Sequence, residues 1–356
     1  IGEYLGALEQ ALNGAGIDAT LRIMQSNGGI IARDFAEQQP LRMLESGPAA
    51  GALAAAHTAR AAGLDNILSF DMGGTTAKAC VVSNGEPDIT TDFETARVHR
   101  FKRGSGLPVR LPVIDMIEIG AGGGSIARID KTGLLKVGPD SAGADPGPAC
   151  YGRGGTQPTV TDAAVILGYL DPVGSLGDEV TIDAGRAEKA IRTEIADPLG
   201  ITVVEAASGI YRIVCENMAL AAKIHAIEKG RDVRNYALVA FGGAGPMHAR
   251  EVARRMNCER VIVPPDAGVF SAIGLLVAPA KVDAVRSRHA RLGAVDWPAV
   301  GGDIDIMQDA IAAVLVDSDM DAETITFRYS ADMRYVGQGF EINVPLDDPR
   351  VTNADA

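Results

Sequence analysis

At 356 residues the chain is long enough for one large domain or about two to three ordinary ones. Its 47% apolar and 22% charged residues place it among globular proteins, and a net charge of −13 excludes a general nucleic-acid surface, which needs clustered Lys and Arg. Aromatic residues are sparse at 4%, while Gly and Ala are abundant, a composition suited to close packing of helices on strands.

The chain opens directly in a helical pattern with Leu5, Leu8 and Leu12 on one face, and it stops just after a strand-like run, so it reads as a fragment of a longer protein. The helix ends near Gly14 or Gly16, and "ATLRIMQSNGGI" follows as a short strand with a turn at Gly28 and Gly29. In "ESGPAAGALAAAHTARAAGL", Ser46 is a plausible N-cap, Pro48 suits the first turn and Gly63 stands where a helix C-cap would. "NILSFD" is a buried-type strand running into the bend "MGGTT", and "AKACVV" returns from it. Asn84-Gly85 suits a type I′ turn to a further strand. Because the glycine bend lies between strands, it does not open a helix as a dinucleotide-binding loop does.

From Glu94 to Gly155 the chain is rich in Gly, Pro and Arg, and segments of this kind are usually binding loops or linkers. "TVTDAAVILGYL" then begins a helix with Thr161 or Asp162 placed to cap it, and Asp162 serves equally as a catalytic acid on this reading. A charged helix over "AGRAEKAIRTEIADPLG" precedes the longest one, "EAASGIYRIVCENMALAAKIHAIEKG", ended by Gly230. "YALVAFGGAGPMHAREVARRM" supplies a strand, a glycine turn and a helix opened by Pro246, with strand "RVIVPP" next. Beyond Lys281, "TITFRYSADMRYVGQGFEINVP" reads as paired strands, which sets the domains at 1–280 and 281–356, with a long loop insertion over about 94–160 in the first.

Three glycine clusters each follow a strand: Gly73-Gly74, Gly122 to Gly124, and Gly242-Gly243 with Gly245. Together they predict turns converging on one anionic ligand, because backbone amides at such turns cradle phosphate oxygens. Thr75 and Thr76 add hydroxyl donors, and Asp71 is placed to hold Mg²⁺ directly or through water. No GxxxxGK[ST] loop is present, which excludes a P-loop NTPase. The histidines His57, His99, His225, His248 and His289 lack short metal spacing. His248 stands out because it follows "FGGAGP" in the first turn of a helix, facing whatever that loop binds. Cys80, Cys150, Cys215 and Cys258 form no CxxC pair and read as free thiols of a reducing compartment; Cys150 has no identifiable His/Asp partner for a nucleophilic role. With no signal-peptide pattern and no apolar run near the roughly 18 residues of a membrane span, the default is a cytoplasmic protein without a membrane partner.

Seven segments in order, "MQSNGG", "ESGPAAGA", "DMGGTTAKA", "GAGGGSIARID", "GPDSAGADPGPACYGRGG", "PTVTDA" and "FGGAGPMHA", closely resemble the ATP-dependent hydantoinase A / 5-oxoprolinase family, which includes acetone carboxylase subunits. The resemblance covers the chain to about residue 280, and "RYVGQGFE" is similar to the start of the family's C-terminal region. It implies an α/β fold with an actin/sugar-kinase/heat-shock-chaperone-like (ribonuclease H-like) ATPase core and a partial C-terminal β-rich domain. In that fold "FDMGGTTAKACVV" is similar to the second phosphate loop and "AFGGAGP" to the adenosine-contacting turn. The first phosphate loop belongs to a preceding domain, so this chain is expected to form the second half of a nucleotide cleft.

Residue by residue, the resemblance puts Asp71, Gly73, Gly74, Thr75 and Thr76 around the β- and γ-phosphates, with Asp71 and Thr75 in catalysis and Asp71 on the metal. It puts Gly242, Gly243 and Gly245 near adenosine and Gly122, Gly123 and Gly124 at a third contact. Lys78 stands where many members carry Asp and reads as a surface charge on the hairpin. The cofactors implied are ATP and Mg²⁺ or Mn²⁺, and the partner a B-type (hydantoinase B-like) subunit or domain in a hetero-oligomer. The activity implied is hydrolysis of cyclic amides after phosphorylation of the carbonyl oxygen. Alternatives are an acetone carboxylase-like subunit and a non-catalytic nucleotide-dependent module.

Overall fold

In the computed structural model, residues 1–91, 93–95, 106–172, 181–318, 320–339 and 341–347 are described. The chain divides into a larger unit, Ser26–Gly28 with Glu45–Ala278, and a smaller one made of Ile1–Gln25, Gly29–Leu44 and the chain from Pro279 on. This division differs from the expected 1–280 domain at its start. Strand Arg22–Met24 pairs with Ile30–Ala32, and the Ile30 amide donates to Pro279 O at 2.9 Å. Gly29 lies so close beneath Lys281 that a Cβ there would be 2.6 Å from the lysine Cβ, and Arg42 pairs with Asp283 at 2.6 Å. These contacts join segments about 240 residues or more apart, which no local pattern reveals.

The smaller unit also holds the helix Gly2–Gly14 and an antiparallel pair, Tyr329–Met333 with Ile342–Leu346, in line with the strands expected there. A helix over Trp297–Asp317, capped by the Asp296 carboxylate accepting from Ala299 N at 3.0 Å, was not anticipated from the sequence.

The larger unit is built on a sheet whose principal strands are β1 (Ile67–Met72), β2 (Ala77–Ser83), β3 (Met116–Ile119), β4 (Ala237–Phe241) and β5 (Val261–Ile262). Their spatial order is β3-β2-β1-β4-β5, with the short strand Glu86–Pro87 beside β2. β2 runs antiparallel to both β3 and β1, whereas β4 and β5 are parallel to β1. The turn at Asn84-Gly85 has positive φ at both residues, 53° and 77°, as type I′ requires.

β1 and β4 are buried on both faces, so their side chains alternate between two cores. Leu68, Phe70 and Met72 point to one side, where α2 (Val160–Ile166), α3 (Val203–Glu228) and α4 (Gly245–Met256) cover the sheet with Val160, Ile210, Val214, Met218 and Val252. Ile67, Val239 and Phe241 point to the other, packed by Ala55 and Ala59 of α1 (Ser46–Ala61) and by Phe270 of α5 (Phe270–Val277). Each fully buried large side chain contributes about 1.5–3 kcal/mol. The alanine face of α1 lets α5 cross it so closely that a Cβ at Gly274 would lie 1.9 Å from Ala50 O.

Several ends differ from the sequence expectation. α1 starts at Ser46 with Glu45 at the N-cap position and no side-chain cap. α2 is capped by Thr159, with Asp162 as the third residue of a reciprocal capping box. α3 begins earlier than expected, because Thr202 and Glu205 form a second such box. The segment anticipated as a loop insertion contributes β3 to the main sheet and a hairpin, Ser125–Ile129 with Leu135–Ser141. β3 is only four residues long and flanked by Gly and Pro, which hid it. At the far end of α3, Lys229 is clasped by Asp115 and, at 3.7 Å, by Asp88, tying the helix to the edge of the sheet.

Candidate functional site

The bend between β1 and β2 is closed by Gly73 N donating to Thr76 O at 3.0 Å. Gly74 and Thr75 at its tip are exposed, and a Cβ at Gly74 would meet nothing within 4 Å. The second glycine cluster lies directly beneath. Gly123 N donates to Gly73 O at 3.1 Å, Gly124 N to Gly74 O at 2.6 Å, and Gly122 N to Ser125 Oγ at 2.9 Å. All three are buried, and a Cβ on Gly122 would lie 2.6 Å from Gly74 O. Their amides are therefore committed to the protein, and the expected direct contact with phosphate at Gly122, Gly123 and Gly124 gives way to another use: Gly123 and Gly124 prop the bend from below and Gly122 closes its own turn on Ser125.

The third cluster meets the bend from the β4 side. β4 pairs with β1 so that Phe241 is opposite Asp71, and the chain leaves β4 through Gly242 at φ 82°. A Cβ on Gly242 would sit 2.3 Å from Asp71 Oδ1 and 2.5 Å from Met72 O, so both the left-handed backbone and the close approach demand glycine here. Ala244 N donates to Met72 O at 2.9 Å, and Gly245, buried, begins α4 against Met72. Gly243 is exposed and has open space around it. Among the described residues the amides of Gly74, Thr75 and Gly243 find no protein acceptor. The structure thus brings Asp71, Gly73, Gly74, Thr75, Thr76, Gly242, Gly243 and Gly245 together on the edge formed by the C-terminal ends of the adjacent strands β1 and β4.

Asp71 is half-buried, on the side of β1 that faces α1. Burial pushes its carboxyl pKa up, and the charge of Lys78 works in the opposite direction. Among the described residues no donor hydrogen-bonds the carboxylate. Lys78 is directly across from Asp71 on β2 and from Glu118 on β3. Its ammonium lies 2.5 Å from Glu45 Oε2 and 3.7 Å from Glu118 Oε1, with the side chain only 18% exposed. The reading of Lys78 as a surface charge is therefore corrected. It is the centre of a carboxylate cluster formed where three strands and the start of α1 meet. Glu45 was missed because its sequence signal is one acidic residue before "SGPAAG", indistinguishable from an ordinary helix start.

His248 does not face the glycine corner. It is fully buried beneath it, stacked on Tyr211 with ring centroids 5.0 Å apart, and its Nδ1 lies 3.4 Å from Cys215 Sγ. Burial lowers its pKa to about 4, and burial raises that of Cys215 to about 12. Asp162 is equally internal: it accepts from Cys150 N at 2.7 Å, Thr159 N at 2.8 Å and Thr159 Oγ1 at 2.8 Å, which leaves a structural role rather than that of a catalytic acid. All four cysteines are buried and free; burial and Asp162 raise the Cys150 pKa, opposing a nucleophilic role. His57 and His289 are exposed, His225 is buried, and His99 lies outside the described residues, as do residues 96–105 of the loop region that begins at Glu94.

No group of three or more potential ligands for a metal ion occurs among the described residues. A single carboxylate, Asp71, beside free amides still fits Mg²⁺, which keeps several waters and takes one or two carboxylates plus substrate phosphates. Among the described residues no single helix is long and apolar enough to cross a membrane.

The hydantoinase/oxoprolinase family profile matches residues 1–284. The uncharacterised protein MJ0964 of Methanocaldococcus jannaschii is 40% identical, over 97% of this chain and 50% of its own length. The caprolactamase subunit alpha of Pseudomonas jessenii is 34% identical, over 99% of this chain and 50% of its own. The crystal structure of ATP-dependent caprolactamase from the same organism superposes with a TM-score of 0.83 at 33% identity, covering 99% of this chain and 50% of that one. Nucleotide-free acetone carboxylase superposes with a TM-score of 0.74 at 28% identity, covering 96% and 48%. The chain spans about half the length of the curated relatives it matches. With more than two thirds of its length matched by the profile and by these relatives, the chain belongs to the hydantoinase/oxoprolinase family.

Proposed function

We propose that this chain forms one wall of the nucleotide site of an ATP-dependent cyclic-amide hydrolase. The observation that supports this most is the edge where Asp71, the bend Gly73 to Thr76 and the Gly242-Gly243 corner meet, with the amides of Gly74, Thr75 and Gly243 open to a ligand. In this reading Gly74 and Thr75 donate to the β- and γ-phosphates and the Thr75 and Thr76 hydroxyls add donors. Gly242, Gly243 and Gly245 border adenosine, and Gly73 keeps the bend closed. The sheet order, three antiparallel strands followed by two parallel ones, supports the actin-like, ribonuclease H-like core that the motifs imply.

Asp71 would hold Mg²⁺ or Mn²⁺ directly or through water, and the bound ion supplies neutralisation of phosphate charge. The chemistry needs positioning and charge stabilisation more than a protein nucleophile. A P–O bond forms at the amide carbonyl oxygen while ADP departs with the electron pair of the bond that breaks. One water adds at the phosphorylated carbon and the ring C–N bond breaks, leaving the open-chain acyl phosphate, and a second water converts that to the amino acid and phosphate, so the sum is ring hydrolysis coupled to ATP hydrolysis. A B-type subunit or domain completes the enzyme, in keeping with relatives named as subunits, and the cytoplasm is the compartment in which free buried thiols and ATP coexist.

A second reading, a ketone-carboxylase subunit, is favoured by the superposition on acetone carboxylase. The full-length protein with its partner subunit, assayed for ATP consumption against 5-oxoproline, hydantoins, caprolactam and acetone, separates the two by product. Nucleotide binding that survives Asp71→Asn and Gly74→Val unchanged would remove this edge from the site.

A further inference from the structure

Asp71, Lys78 and Glu118 lie directly opposite one another on β1, β2 and β3. Paired residues of antiparallel strands share a face, so all three side chains stand on the side of the sheet that α1 covers. Glu45, just before α1, reaches the same place. Its Oε2 lies 2.5 Å from Lys78 Nζ, and Glu118 Oε1 lies 3.7 Å from it. The charge of Lys78 also acts on Asp71, its immediate cross-strand neighbour.

Glu45 is itself held in place. Its amide donates to Ser26 Oγ at 3.1 Å, and Ser26 O accepts from Ile114 N at 2.8 Å. Ser26 and Asn27 are buried, and Gly28, at φ 86°, lies against Ile114 and Leu53, 3.1 and 3.4 Å from where a Cβ would stand. The segment Ser26–Gly28 therefore fixes the backbone from which Glu45 reaches Lys78. A tie between α1 and the sheet needs one carboxylate. Here Asp71, Glu45 and Glu118 surround one ammonium and leave two negative charges at the end of the sheet where the amides of Gly74 and Thr75 are open. That surplus matches one divalent ion.

We propose that Lys78 is the resident cation of the nucleotide edge: it takes the place of a second divalent ion between Glu45 and Glu118, so that the site admits a single Mg²⁺ or Mn²⁺, at Asp71. This rests on the nucleotide site proposed above and states its metal count. Mg²⁺ is held by one or two carboxylates with waters and substrate phosphates, and Glu45 and Glu118 are such a pair already taken by an ammonium. Being covalently tethered, that charge does not exchange with ions in solution. Lys78 acts as a positioning residue. It repels a further ion and keeps Glu45 and Glu118 from competing with Asp71 for the one that binds. A purely structural tie predicts lost stability when Lys78 is replaced, whereas a charge substitute predicts a changed ion count.

The test counts Mn²⁺ by electron paramagnetic resonance on the full-length protein with its partner subunit, loaded with ADP and freed of excess nucleotide, at a pH where Asp71 is ionised in every variant. Wild type binds one Mn²⁺ per ADP. Lys78→Gln keeps a hydrogen-bond donor for Glu45 but loses the charge; it binds two, the tighter about 10-fold more strongly than wild type binds its one. Lys78→Arg keeps the charge and binds one, and Lys78→Gln combined with Glu118→Gln returns the count to one. Two ions in wild type, or a Lys78→Gln variant that still binds one, overturns the assignment. Either result leaves the nucleotide site standing as long as ADP is bound, whereas a wild type that binds no ADP removes that site and this inference with it.

Discussion

Gly242 and Asp71 stand so close that any side chain on the glycine would displace the carboxylate, with 2.3 Å between a Cβ and Oδ1. The contact joins two segments 171 positions apart (242 − 71) through the parallel pairing of β1 and β4. It places the strand-end carboxylate and the glycine corner in one site, and the consequences of each residue there can be separated by experiment.

Asp71→Asn removes a half-buried carboxylate whose pKa is raised by burial. A folded-state pKa above the unfolded value means that the charge opposes folding once pH exceeds that value, so Asn is expected to leave the melting temperature unchanged or higher at pH 7. ATP turnover by the full-length protein should fall by about 100-fold or more. A variant that melts earlier and still turns over ATP contradicts both halves.

The glycines of the bend divide into two kinds. Gly122→Ala and Gly123→Ala force a Cβ to 2.6 Å from Gly74 and 2.8 Å from Thr161 Oγ1, and should cost about 1–3 kcal/mol in chemical denaturation. Gly74→Ala has open space and should change stability by less than about 0.5 kcal/mol, yet weaken nucleotide binding by crowding the amides at the tip. Similar stability losses in all three would show that the tip is packed rather than open.

Lys78→Met breaks the pairing with Glu45 and Glu118 and removes the charge that lowers the Asp71 pKa. Partial exposure of the cluster limits the stability cost to about 1–2 kcal/mol. The Asp71 carboxyl should titrate at higher pH in the variant, moving the acidic limb of the ATPase pH profile upward. An unmoved limb separates Lys78 from Asp71.

His248 titrates at about 4 in the fold against an ordinary value of 6.5. Because the unfolded chain binds the proton more readily, stability is fully present above pH 6.5 and is lost as pH falls toward 4, by roughly 3 kcal/mol. His248→Leu should flatten that part of the stability curve relative to wild type in urea titrations from pH 4 to 7. Parallel curves would mean the ring takes up its proton without unfolding.

Much of this was legible in the chain. Short-range rules were enough for the bend between β1 and β2, the Asn84-Gly85 turn, the glycine corner before α4 and the ordered motifs of the family, since backbone stereochemistry and local hydrophobic runs act over a few residues. Only the tertiary structure showed that Gly123 and Gly124 use their amides to hold the bend while that of Gly122 is taken by Ser125, that Lys78 lies among Glu45, Glu118 and Asp71, that His248 turns inward, and that Ile1–Gln25 and Gly29–Leu44 group with the chain from Pro279 on. Each of those facts depends on which distant acceptor, charge or helix face a residue meets. Strand pairing and helix crossing set that, and a one-dimensional pattern does not encode it.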